Sequence, residues 1–188
     1  MKIIATVIAV LTVLAGLTAA AVFSGVYDIA ADQPHWALTE RVLAIARDRS
    51  IAARAQAITP PGDLADPQRV LAGAGQYAEM CEGCHLAPGV EDTELRKGLN
   101  PEPPELARRR REPREAFWIV KHGIKASGMP AWGATHDDDA LWSVVAFLQK
   151  LPQLDAKGYR SLVAKAPAHE AAEPAGHSHA PGTAPHRD

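Results

Sequence analysis

The chain's two cysteines, Cys81 and Cys84, stand two residues apart, and His85 follows at once. No other feature constrains the fold as much. A disulfide between such close cysteines closes a very tight loop and staples nothing else, so the chain is not a disulfide scaffold. A zinc site needs two further ligands at short spacing, and His122 and His136 are too far apart to form the usual pair. A thioredoxin-like redox pair belongs in a βαβ setting, and no alternating strand pattern of useful length is present.

What fits Cys81-Glu82-Gly83-Cys84-His85 is covalent attachment of a c-type haem. Each thiol adds across one vinyl group of the porphyrin to give a thioether. Two intervening residues on a helical turn set both sulfurs along one edge of the ring. The next residue then lies under the iron, where the His85 imidazole is the proximal ligand. For the sixth ligand, Met1 sits in an apolar N-terminal run, and Met80 is held on the attachment side by its neighbour Cys81. Met129, in a loop between Gly128 and Pro130, is the candidate, with His122 and His136 as alternatives. A thioether ligand raises the reduction potential relative to a second histidine. His122 also suits the end of a helix before Gly123. Trp132, three residues past Met129, is a candidate to hydrogen-bond a haem propionate through its indole N–H, or to pack against the ring.

The remaining chain divides by composition. From Ile3 to Val26 no side chain is charged. Such a run is long enough to span a bilayer, so residues 1–27 read as a transmembrane anchor or an uncleaved signal, with a signal cleaved near Ala19-Ala20-Ala21 or Ala30-Ala31 as the competing reading. Lys2 before it and Asp28 and Asp32 after it favour an exported body on the periplasmic side. Residues 28–65 read as a juxtamembrane helical linker. Trp36, Leu38, Val42, Leu43, Ala46 and Ile51 recur there at near-helical spacing, and Ser50 is a possible point of re-initiation. Pro60-Pro61-Gly62 breaks that segment. Residues 66–153 form the body, with helices from Asp66-Pro67 to the cysteines, from Pro113 to His122 and from Asp137 to Lys150. Leu141, Val144, Val145 and Leu148 are the expected buried stripe of the last one. Ala87 to Pro104 reads as loop. The fold class is all-α. Residues 164–188, rich in Ala, Pro and His, read as a disordered tail. Its histidines, His169, His177, His179 and His186, are candidates for a soft divalent metal.

With 20 basic and 22 acidic side chains, net charge is −2, and nucleic acid is not an expected partner. The densest charge, Arg108 to Arg111 with Arg114, reads as a solvated helix face or as a docking patch for an acidic redox partner.

Residues 66–151 resemble the small class I cytochromes c. The resemblance rests on the Cys81–His85 motif and on Gly128-Met129-Pro130, similar to the distal methionine loop. Gly73 and Tyr77 match the small and aromatic residues where first and last helices cross, and Val144 and Phe147 match the other side of that crossing. Pro104-Glu105-Leu106 resembles the segment whose proline carbonyl accepts the proximal histidine's other ring proton, which implies that Pro104 orients His85. The implied activity is one-electron transfer by a single haem c with His85 and Met129 as axial ligands, between protein donors and acceptors of a membrane-associated respiratory or related redox chain. No small-molecule substrate is expected at the iron, and the chain is expected to be a carrier rather than an enzyme. Two alternatives stand beside it: a haem subunit of a larger dehydrogenase or oxidase complex, and an open-site haem sensor or enzyme in which Met129 does not ligate.

Overall fold

The computed structural model describes residues 1–167, and among them there are helices and turns but no strands. The expected all-α class is what the chain adopts. Residues 168–188, with most of the expected tail and all four of its histidines, lie outside the described residues.

α1 (Lys2–Phe23) carries no charged side chain after Lys2, buries none of its residues and is long and apolar enough to cross a membrane. α2 (Ala37–Ala55) follows as one unbroken helix. Ser50 does not restart it; the Ser50 hydroxyl instead accepts from Arg54, 2.8 Å away. Only Ile51 and Ala55 of α2 are buried, and the helix contacts α6 (Pro113–His122).

The body is built on α3 (Pro67–Met80) and α7 (Asp138–Lys150), which cross. Asp66 caps α3 by accepting from the Gln68 and Arg69 amides, with Pro67 in the first turn, where its missing N–H costs nothing. Asp137 caps α7 through the Ala140 amide. Gly73 marks the crossing: a β-carbon there would lie 1.9 Å from the Ser143 carbonyl oxygen. A glycine in mid-helix costs about 1 kcal/mol of helix propensity, yet only glycine lets the two backbones come this close. Arg69 ties the same pair together, donating to Asp63 on its own side and to the Asp139 carboxylate on α7 at 2.7 Å. Every residue of α7 from Leu141 to Phe147 is buried, because α3 covers one face and α6 another. Leu148 is only half-buried, at the seam between the two resulting clusters.

One cluster joins Ala74, Tyr77, Val144, Phe147 and Leu151 to Tyr159. Tyr159 comes from α8 (Ala156–Val163), a helix that lies beyond the expected end of the body at residue 153. Ala156, Tyr159, Leu162 and Val163 recur at helical spacing on one face, and Tyr159 packs edge-on to Tyr77. The second cluster joins Ala116, Phe117 and Val120 of α6 to Leu141, Trp142 and Val145, with Phe117 stacked on Trp142 at 4.1 Å between centroids.

Gly73→Ala pushes a methyl group into α7 backbone that has no side chain to swing away. It should lower unfolding free energy by about 3 kcal/mol, the upper end for overpacking. A reduced urea midpoint would register this, and an unchanged midpoint would show that the helices separate at little cost.

Candidate haem site

The Cys81–His85 motif leaves the end of α3 as a single helical turn, α4 (Glu82–His85). Cys81 is buried and Cys84 half-buried, and neither thiol is in a disulfide. Burial, with the nearby Cys84, pushes the Cys81 thiol up to about 12.

Four tethers from separate parts of the chain hold this turn. Immediately after His85 the backbone reverses at Leu86, a buried residue with φ of +56°. Such a conformation costs a non-glycine residue about 1–3 kcal/mol. The buried Tyr77 hydroxyl holds it by donating to the Leu86 carbonyl at 2.5 Å. Thr93 donates to the Gly83 carbonyl at 2.6 Å. The Tyr159 hydroxyl donates to the Glu82 carboxylate, so α8 reaches back to the middle of the motif. The fourth tether is the ring of His85, whose Nδ1 lies 2.9 Å from the Pro104 carbonyl oxygen.

That last contact decides how the imidazole is protonated. A carbonyl can only accept, so Nδ1 carries the proton and donates it. Nε2 is then left with its lone pair. Burial lowers the His85 pKa, opposed by the Pro104 bond and assisted by the charge of Arg96, which favours the neutral ring. A neutral imidazole with a fixed tautomer beside two free thiols on one turn is a donor set that suits a covalently attached haem.

Pro104 is itself positioned. Arg96, in the short helix α5 (Glu94–Lys97), is buried and donates to the Pro103 carbonyl at 3.1 Å. Its guanidinium also pairs with Asp92 and with Glu102. The stretch read as plain loop, 87–104, is therefore organised around one buried arginine. Neither Arg96 nor Tyr159 was among the expected site residues. The available signal for Arg96 was a single arginine among Asp92, Glu94 and Glu102, which is also what a solvated charge cluster looks like. For Tyr159 the available signal was its helical spacing with Leu162 and Val163 after the cap residue Asp155.

Met129 sits in a small closed loop at the end of α6. His122 ends that helix, and Gly123 leaves it with φ of +64°. A β-carbon on Gly123 would come within 2.7 Å of the Met129 carbonyl oxygen and 2.8 Å of Pro130. Ile124 donates to the Met129 carbonyl at 3.3 Å, and the Met129 amide donates to the Ser127 hydroxyl at 3.2 Å. On the other side, Gly128 packs against Leu99 from the loop that leads to Pro104. Met129 is half-buried. Trp132 is also half-buried; it packs against the α6–α7 cluster and sets its ring edge-on to His136. Of the other histidines, His122 is exposed beside Trp118, and His136 Nδ1 is engaged with the Thr135 hydroxyl.

The arginine run is mostly paired locally: Arg108 with Glu105, Arg111 with Glu115 and Arg114 with Glu112. Among the described residues, no cluster of three or more His, Cys, Asp or Glu side chains is arranged to hold a metal ion.

A family model described as cytochrome c oxidase, cbb3-type, subunit III matches residues 68–148, from the first turn of α3 to near the end of α7. No curated protein and no solved structure matches the chain. The match takes in the motif, Pro104 and Met129, and leaves α1, α2 and α8 outside.

Tyr77→Phe keeps the packing but leaves the buried Leu86 carbonyl without a donor. The expected cost is about 1–3 kcal/mol. Chemical denaturation measures it, and a loss within the roughly 0.5 kcal/mol of an ordinary surface substitution would mean that Tyr77 contributes by packing alone.

Proposed function

Residues 68–148 form a mono-haem, class I-like cytochrome c domain, a unit of haem-based electron transfer, and from that premise we propose which residues carry the group and how the chain is used. Cys81 and Cys84 would hold one haem c through thioethers, and His85 and Met129 would ligate its iron. The chain passes single electrons between redox partner proteins while tied to a membrane by α1, with the haem domain on the periplasmic side.

The observation that carries this reading is the hydrogen bond from His85 Nδ1 to the Pro104 carbonyl. It fixes the tautomer that offers Nε2 to a metal, and it orients the ring from outside the ligand set. When bound, a haem supplies an iron that cycles between Fe(II) and Fe(III). The residues around it do the rest. Arg96 steadies the Pro103-Pro104 backbone, so the acceptor for His85 does not drift. Tyr77, Thr93 and Tyr159 hold the attachment turn through three hydrogen bonds, which limits rearrangement between oxidation states. The loop closed by Gly123 and Ser127 presents Met129 with little freedom. With His85 and Met129 both on the iron a substrate would find no place there, which would make the chain a carrier rather than an enzyme. Pro104 acts through His85. Trp132 keeps its indole N–H as a candidate donor to a propionate.

Support for the anchor is the length and apolarity of α1 and the placement of Lys2, Asp28 and Asp32 around it. A second reading, a fixed haem subunit of a larger oxidase or dehydrogenase, draws on the description of the matched family, which is that of an oxidase subunit.

The oxidised holoprotein should show the weak red absorption band of a methionine–Fe(III) bond. Met129→Ala should abolish that band, lower the reduction potential and allow rapid carbon monoxide binding after reduction. Rapid carbon monoxide binding by the unaltered reduced protein would instead identify an open iron and remove Met129 from the ligand set. Gly123→Ala, which strains the backbone beside Met129, should weaken the same band while leaving both thioethers intact by mass spectrometry.

A further inference from the structure

The exposed side of α2 is apolar where a surface helix should be polar. Leu38, Val42 and Ile45 are 74%, 55% and 58% exposed. Their spacing places them in one narrow stripe. Ile51, buried against the body, falls about 150° around the helix from that stripe at 3.6 residues per turn. The helix thus has two apolar faces, and the body covers only one of them.

Residues 24–36 connect α1 to α2, and they are folded back on themselves. The Tyr27 hydroxyl is 2.8 Å from His35 Nδ1, and the Tyr27 ring meets Trp36 edge-on at 4.9 Å between centroids. Tyr27 lies four residues past the end of α1, and Trp36 is the residue before α2. The start of α2 is therefore pinned within a few residues of the end of an apolar helix that buries none of its own surface. Tyr and Trp favour the boundary between lipid and water, because each has an apolar ring and a polar tip. Arg41 is exposed beside the stripe, and Arg49 is exposed in line with it one turn past Ile45; such long cationic side chains reach headgroups while their stems cover apolar surface.

We propose that the Leu38–Val42–Ile45 face of α2 lies in the headgroup–acyl boundary of a phospholipid bilayer, while its opposite face carries the haem domain. The inference rests on the reading of α1 as a membrane anchor. Its consequence is orientation. An anchored domain on a free linker tumbles, whereas a domain docked on an interfacial helix presents one side to partners in the same membrane.

The test uses the full-length holoprotein in vesicles of mixed neutral and anionic phospholipid, with no other protein present. Attachment consumes Cys81 and Cys84, so a nitroxide label goes only to an introduced cysteine. Labels at Leu38→Cys, Val42→Cys and Ile45→Cys should collide more often with oxygen than with a water-soluble nickel chelate. Asp48→Cys should show the reverse. A label at Leu11→Cys in α1 reports the anchor independently. If Leu11 is lipid-exposed and the stripe is water-exposed, the inference is wrong and the anchor stands. If Leu11 is itself water-exposed, anchor and inference both fall. Stripe labels shielded from both reagents, with broadening that grows with protein density, would assign the face to a second copy of the chain and overturn the lipid assignment.

Discussion

At the crossing of α3 and α7, Gly73 lies against the Ser143 carbonyl with no space for a β-carbon. One turn further along, the same approach brings Tyr77 against Phe147 at 5.2 Å between ring centroids. Tyr77 has then only one direction in which to aim its hydroxyl, at the Leu86 carbonyl just past the attachment turn. The geometry of the motif is thus set by the depth of a helix crossing eight residues upstream. A wider crossing loosens Tyr77, and with it the strained Leu86 and the direction in which His85 points.

The second constraint is the tautomer of His85. An imidazole free in solution exchanges its proton between two nitrogens. The Pro104 carbonyl removes that ambiguity at the cost of ordering a long, proline-rich stretch. Arg96 offsets the cost: with partners on Asp92, Glu102 and the Pro103 carbonyl, it gathers the stretch around one buried charge. A buried guanidinium needs partners, and here each of its three nitrogens has one.

Much of this was legible in the amino-acid order. The caps at Asp66 and Asp137, the span of α6 and the single turn of Cys81–His85 all follow from local chemistry: side-chain capping and helical period. Pro104 was placed by resemblance, and the structure brings it to His85. What could not be read was long-range. Tyr159, Leu162 and Val163 mark one face of a short helix, but nothing in their neighbours says that this face covers Tyr77. Arg96 looked like surface charge, because burial is not a property of sequence neighbours. The uniform burial of Leu141 to Phe147 exceeds any one helical stripe, since two elements flank α7 instead of one.

By itself the sequence determined that both thiols and His85 share one turn, that the body is helical and that a long apolar helix precedes it, because each of these depends on residues a few positions apart. Only the tertiary structure decided which nitrogen of His85 is free, what clamps the motif and which side of α2 is left uncovered. Those properties belong to pairs of residues far apart in the chain, such as Glu82 and Tyr159, whose meeting depends on how the helices pack.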